Sequence, residues 1–139
     1  MTSFSIVVHI KAPPEKVAAV LFDVERWPEW TSTMTRVRRL DQGPLAVGST
    51  ARVRQPKLPP AVWRVTELDA ERGFNWSTRG LGLKLDAGHL VERDAAGSRV
   101  NLSFRFSGLL GPLAARFYAS LCQRYIVTEA EGLRRRCEG

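Results

Sequence analysis

The stretch that most constrains this fold is the last quarter of the chain, from Leu109 to about Arg136, which has the apolar periodicity of one long helix. Gly111-Pro112 suits its first turn, because the N–H that proline lacks would find no intrahelical partner there. At about 100° per residue, Ala114, Phe117, Tyr118, Leu121, Cys122, Tyr125 and Ile126 fall on one broad side, opposite Arg116, Gln123, Glu131 and Arg134. That apolar arc takes up about half the circumference, too much for one neighbouring helix to cover. At ~1.5 Å per residue the helix is roughly 35 to 40 Å long, the width of a small domain, so it is a spine that needs a curved sheet around it. The Arg134-Arg135-Arg136 run lies where cations complement the helix dipole.

The strands that supply such a sheet are upstream. Phe4 to Lys11 alternates, with Phe4, Ile6, Val8 and Ile10 on one face and His9 on the other. Ala12-Pro13-Pro14-Glu15 then ends the strand and opens a short helix whose inner side is Val17, Val20, Leu21 and Val24. Pro28, within Asp23 to Trp30, forces a turn and permits a second short helix, on which Trp27 and Trp30 share a side. From Thr35 onward the pattern is six strands: Thr35 to Leu40, Ser49 to Arg54, Ala61 to Leu68, Phe74 to Thr78, Leu83 to Arg93 and Arg99 to Ser107. Turn residues separate them, notably Gln55-Pro56-Lys57-Leu58-Pro59-Pro60 and Gly80-Leu81-Gly82. Short connections imply an antiparallel meander with one apolar and one wet face. The wet face is rich in arginine at positions 52, 54, 64 and 105.

A length of 139 residues predicts a single α+β domain spanning 1–139, large enough for a core without disulfides or metal. No stretch is long and apolar enough to span a membrane, and Met1-Thr2-Ser3-Phe4 lacks the character of a signal peptide, so a cytoplasmic location is expected. Cys122 and Cys137 would be ~20 Å apart on a continuous helix, which predicts free thiols. The net charge of +7, carried by 17 Arg and 4 Lys, is compatible with nucleic acid, membrane or acidic partners and with a plain solvated surface. No specific nucleic-acid partner is expected.

The early strand ending in Ala12-Pro13-Pro14-Glu15-Lys16-Val17, the Asp23 to Trp30 stretch, the Gly48-Ser49 turn and the Trp63 to Leu68 strand together resemble the polyketide cyclase/dehydrase-like branch of the START/Bet v 1 superfamily. The resemblance covers essentially the whole chain. It implies a helix-grip fold: a seven-stranded antiparallel sheet curved around a long C-terminal helix, with two short helices between strands 1 and 2 and an apolar cavity between sheet and helix. It also implies binding of a hydrophobic or aromatic small molecule, without implying catalysis.

The residues leave room for such a cavity independently, because Trp63, Trp76, Phe104 and Phe106 face a helix carrying Phe117, Tyr118, Leu121 and Tyr125, and so many rings interdigitate poorly; a fully packed aromatic core is the alternative. Expected ligand contacts are Trp63, Trp76, Leu85, His89 and Phe104 on the sheet, those four helix residues, and Trp30 at one end. His89 shares strand parity with Leu85 and is the one catalytic candidate, set against a plain hydrogen-bonded core role. Glu67 shares parity with Trp63 but sits near its strand end and is expected in water. Glu129 falls on the apolar side of the helix, where an arginine partner is expected. No nucleophile and base pair, phosphate loop or metal-ligand spacing is present, so no cofactor and no metal are expected.

The loops 55–60, 80–82 and 107–111 should gather at one end of the sheet, where Leu58, Leu81, Leu109 and Leu110 would form an apolar rim. That rim keeps a second reading open, a carrier of lipid or another hydrophobic ligand making peripheral membrane contact. A third reading is an interaction protein using its basic face.

Overall fold

The computed structural model describes residues 2–139, and Met1, the first residue of the expected leader-free start, lies outside them. The chain forms a seven-stranded antiparallel sheet closed by a long C-terminal helix, the helix-grip arrangement. Strand β1 (Thr2–Ile10) leads into helix α1 (Pro14–Phe22) and a 3-10 helix (Val24–Glu29). Strands β2 (Arg36–Arg39), β3 (Thr50–Arg54), β4 (Ala61–Asp69), β5 (Gly73–Gly80), β6 (Leu83–Asp94) and β7 (Gly97–Ser107) follow, and α2 (Gly111–Glu138) ends the chain. The spatial order is β1-β7-β6-β5-β4-β3-β2, a meander in which β1 returns to pair with the last strand. The long helix starts two residues later than the periodicity predicts and ends two later.

Two local features curve the sheet. On β4, Val65 faces Trp76 and Glu67 faces Asn75, so Thr66 is an extra residue, a bulge that bends the strand and shifts its alternation by one. Glu67 therefore points to water, while Leu68 turns inward. At Gly73 the backbone has φ +135°, and a Cβ there would come within 2.0 Å of the His89 carbonyl oxygen, so only glycine allows β5 to start against β6.

The core is asymmetric along the helix. Its dense part lies where Val17 and Leu21 of α1, Val24 and Trp27 of the 3-10 helix, and Ile126, Ala130, Leu133 and Cys137 of α2 meet the inner face of the sheet. Burying each large aliphatic side chain in such a place contributes roughly 1.5 to 3 kcal/mol. Toward the N-terminus of α2 the cluster is thinner, Phe106 with Ala115 and Cys122. The arginines at 52, 54, 64 and 105 are all on the exposed face. Among the described residues, no helix is long and apolar enough to cross a membrane.

Candidate functional site

Where the core thins, the sheet and α2 diverge around a cavity of about 560 Å3. Alternation on the sheet supplies its floor: Trp63 of β4, Trp76 of β5, Leu85, Ala87 and His89 of β6, and Leu102, Phe104 and Phe106 of β7. The helix supplies the roof through Ala114, Tyr118, Cys122, Tyr125, Ile126 and Glu129. Exposed residues of the β3–β4 loop, the end of β5 and the first turns of α2, among them Pro59, Gly80 and Tyr118, also line it, so its mouth opens at that end. Tyr125 donates its hydroxyl to the Pro56 carbonyl, tying the β3–β4 loop to the helix along one side.

Seven of the expected contacts line this cavity: Trp63, Trp76, Leu85, His89, Phe104, Tyr118 and Tyr125. Three do not. Phe117 is 70% exposed on the outer side of α2. Leu121 is half-buried but lies off the cavity wall. The helix buries Ala115, Cys122, Ile126, Ala130 and Leu133, so the seam runs beside Phe117 and Leu121 rather than through them. The third is Trp30, which follows the 3-10 helix and packs on Trp27 with ring centroids 5.3 Å apart. Trp27 takes the inner position instead, donating Nε1–H to the Leu21 carbonyl at 3.0 Å and lining the cavity.

The inner end of the cavity holds an imidazole and a carboxyl. His89 is 5% exposed, stacked on Phe74 at 4.7 Å, with Nδ1 3.0 Å from the Phe74 carbonyl oxygen. A carbonyl only accepts, so Nδ1 carries the proton and Nε2 is an acceptor. Burial holds the imidazole down to about 4, against the opposing pull of that hydrogen bond, so the ring is neutral at physiological pH.

Glu129 lies one helical turn beyond Tyr125 and was expected to pair with arginine; it meets threonines instead. Its Oε1 accepts from Thr33 Oγ1 at 3.1 Å, and Thr33 Oγ1 in turn lies 2.8 Å from Thr31 Oγ1, which accepts the Thr33 N–H. Both threonines are buried. Burial pushes the Glu129 carboxyl up to about 7, only partly offset by the Thr33 bond, so near neutrality it exists in both protonation states. The periodicity of α2 already placed Glu129 on the inner side; Thr31 and Thr33, in the loop before β2, carried no pattern that could have paired them with it. Burial also raises the Cys122 thiol to about 11, which makes it a poor nucleophile. Among the described residues no three His, Cys, Asp or Glu side chains group to hold a metal ion.

The rim loops do gather at one end. Leu110 N–H donates to the Gly82 carbonyl at 2.7 Å, joining the β7–α2 loop to the β5–β6 turn. Leu58 turns inward and lines the cavity, whereas Leu81 and Leu109 stand in solvent.

A family model described as polyketide cyclase / dehydrase and lipid transport matches residues 1–138. No curated protein matches the sequence. Among solved structures, the ZhuI aromatase/cyclase from Streptomyces sp. R1128 superposes with a TM-score of 0.80 at 16% identity, covering 99% of this chain and 93% of that one. Ginseng major latex-like protein 151 from Panax ginseng gives 0.81 at 10% identity over 98% and 97% of the two chains. A hypothetical protein of Helicobacter pylori gives 0.80 at 16% identity over 97% and 86%. Likeness at such identities establishes the fold.

Proposed function

The chain belongs to the polyketide cyclase/dehydrase and lipid transport family, and from that premise we propose that it binds a hydrophobic or aromatic small molecule between its sheet and α2. The observation that carries this reading is the aromatic cavity with a single carboxyl at its inner end, a volume of about 560 Å3 lined by Trp27, Trp63, Trp76 and Phe104 and ended by Glu129. Sites for small apolar ligands have this size and this composition, an apolar wall with a few placed polar groups. The rings give dispersion contact to a flat ligand, and Glu129 fixes its orientation by donating to, or accepting from, one ligand oxygen.

Cyclase or dehydratase-type activity extends the same reading. A carboxyl with its midpoint near neutrality can give a proton to a carbonyl or hydroxyl oxygen and take one back, and the His89 Nε2 is a second acceptor, on the sheet side of the cavity. A folded chain held over the rings would react by proximity more than by strong acid or base. The likeness to an aromatase/cyclase supports this extension; the exposed leucines at the mouth support a carrier role in its place.

Because three tryptophans line the cavity, their fluorescence reports occupancy directly. Titration with an anthraquinone should quench it to saturation, and Ala87→Phe, which fills the floor without touching a polar group, should weaken the apparent affinity by about tenfold or more while the thermal midpoint is kept. Quenching that never saturates with anthraquinones, flat phenols or fatty acids, or that is indifferent to Ala87→Phe, would sink the proposal.

A further inference from the structure

The outer side of the first turns of α2 carries an apolar surface that no element of the fold covers. Leu109, Leu113 and Phe117 recur every four residues, on one face of the helix and its lead-in, and are 92%, 54% and 70% exposed. Leu81, at the tip of the β5–β6 turn, is 95% exposed and belongs to the same end, since that turn is hydrogen-bonded to the β7–α2 loop. Single exposed leucines are ordinary, but four large side chains from two loops and a helix form a patch of the kind that marks an interaction site.

The charge around the patch is mainly positive. Arg79 and Lys84 face each other across the stem of the β5–β6 turn, and the exposed Arg116 precedes Phe117 on α2, to one side of the Leu113 and Phe117 row. Neither Arg79 nor Arg116 has a carboxylate within ion-pair distance among the described residues. Asp86, beside Lys84, is the one acid nearby. From Phe106 to Thr128 the chain has no Asp or Glu, and the first turn of α2 lacks the acidic residue that helix starts favour. An apolar wedge ringed by cations fits an anionic bilayer: the leucines and Phe117 enter the boundary between headgroups and acyl chains while Arg79 and Arg116 hold phosphates. A second copy of this chain fits less well, because a self-complementary contact would set these cations against themselves.

We propose that this surface docks the protein on an anionic lipid bilayer with the cavity mouth turned toward the membrane. Arg79, Gly80 and Tyr118 line the mouth beside the patch, so an apolar molecule would pass between bilayer and cavity without crossing water. Docking does not depend on what the cavity holds.

The test is flotation of the purified full chain with vesicles of phosphatidylcholine alone and of phosphatidylcholine mixed equally with phosphatidylglycerol, at low and high salt. The expected result is binding to the anionic vesicles that weakens with salt and falls by about tenfold or more in a Leu109→Ser, Leu113→Ser, Phe117→Ser triple variant of unchanged thermal midpoint. Arg79→Gln with Arg116→Gln should weaken binding to the anionic vesicles alone. Absence of binding to either vesicle, or equal binding by the triple variant, overturns the proposal. So does a wild-type dimer in sedimentation that the triple variant turns into a monomer, which would give the patch to a second copy. Ala87→Phe should keep full vesicle binding, which separates a failure of docking from a failure of the cavity reading.

Discussion

A buried imidazole and a half-buried carboxyl in the cavity wall titrate in opposite senses, and their signs can be worked out one at a time. Glu129 has its carboxyl raised to about 7 by burial, so between the ordinary value of 4.5 and that point the native state holds a proton the unfolded chain has given up. Stability is therefore present in full below pH 4.5 and is lost as pH rises toward 7, by roughly 3 kcal/mol. His89 is held down to about 4, so the unfolded chain binds its proton first as pH falls through 6.5. Its contribution is present above 6.5 and is lost toward pH 4, by a similar amount. Between pH 4.5 and 6.5 the two nearly cancel, and the wild-type protein should show a flat profile there. Glu129→Gln should expose the histidine's acid loss, and His89→Gln the glutamate's loss toward neutrality. Urea unfolding at a series of pH values checks this, and three superimposable profiles would show that neither group is as buried as its surroundings suggest.

At the scale of elements, the contact between α2 and the end of the 3-10 helix turns on one missing methyl. Gly132 sits inside a 28-residue helix, where glycine costs about 1 kcal/mol relative to alanine, yet a Cβ there would lie 1.9 Å from the Trp30 carbonyl oxygen and 3.3 Å from its ring. Backbone cannot yield as a side chain does, so Gly132→Ala should destabilise by about 2 kcal/mol or more despite its better helix propensity. A denaturant midpoint equal to that of the wild type would contradict the close approach. The same contact shows where the sequence was readable. Alternation located all seven strands, since β1 and β7 carry Phe4, Ile6, Val8, Val100, Leu102 and Phe106 at regular spacing on one face. It misled on Trp30 and Phe117, because hydrophobicity ranks rings above Ala115 and Gly132 although small residues are what let a helix lie close. The bulge at Thr66 and the pairing of Thr33 with Glu129 were unreadable for a different reason: both depend on partners distant in sequence, and no local period encodes them.

Over the whole molecule, the two cysteines sample the two ends of an unevenly packed structure. Cys137 sits in the dense core under α1, whereas Cys122 lines the cavity beside Tyr118 and Ile126. Burial raises both thiols to about 11, so neither reacts appreciably as the protein stands and each must wait for an opening. The openings should differ. Parting α2 from the sheet at the cavity end exposes little apolar surface that is not already facing empty space, while freeing Cys137 means separating α1, α2 and the sheet together. Local opening at the first site should therefore have the lower free energy, and the second should open only with global unfolding. Alkylation with N-ethylmaleimide, resolved by peptide mass spectrometry, should label Cys122 first by about tenfold or more in rate, with Cys137 following the unfolding rate. An anthraquinone held in the cavity should slow Cys122 by linkage to the closed state and stabilise Cys137 only as far as it stabilises the whole fold. Equal labelling rates would mean that sheet and helix part as one unit, and that the cavity is then no easier to enter than the core.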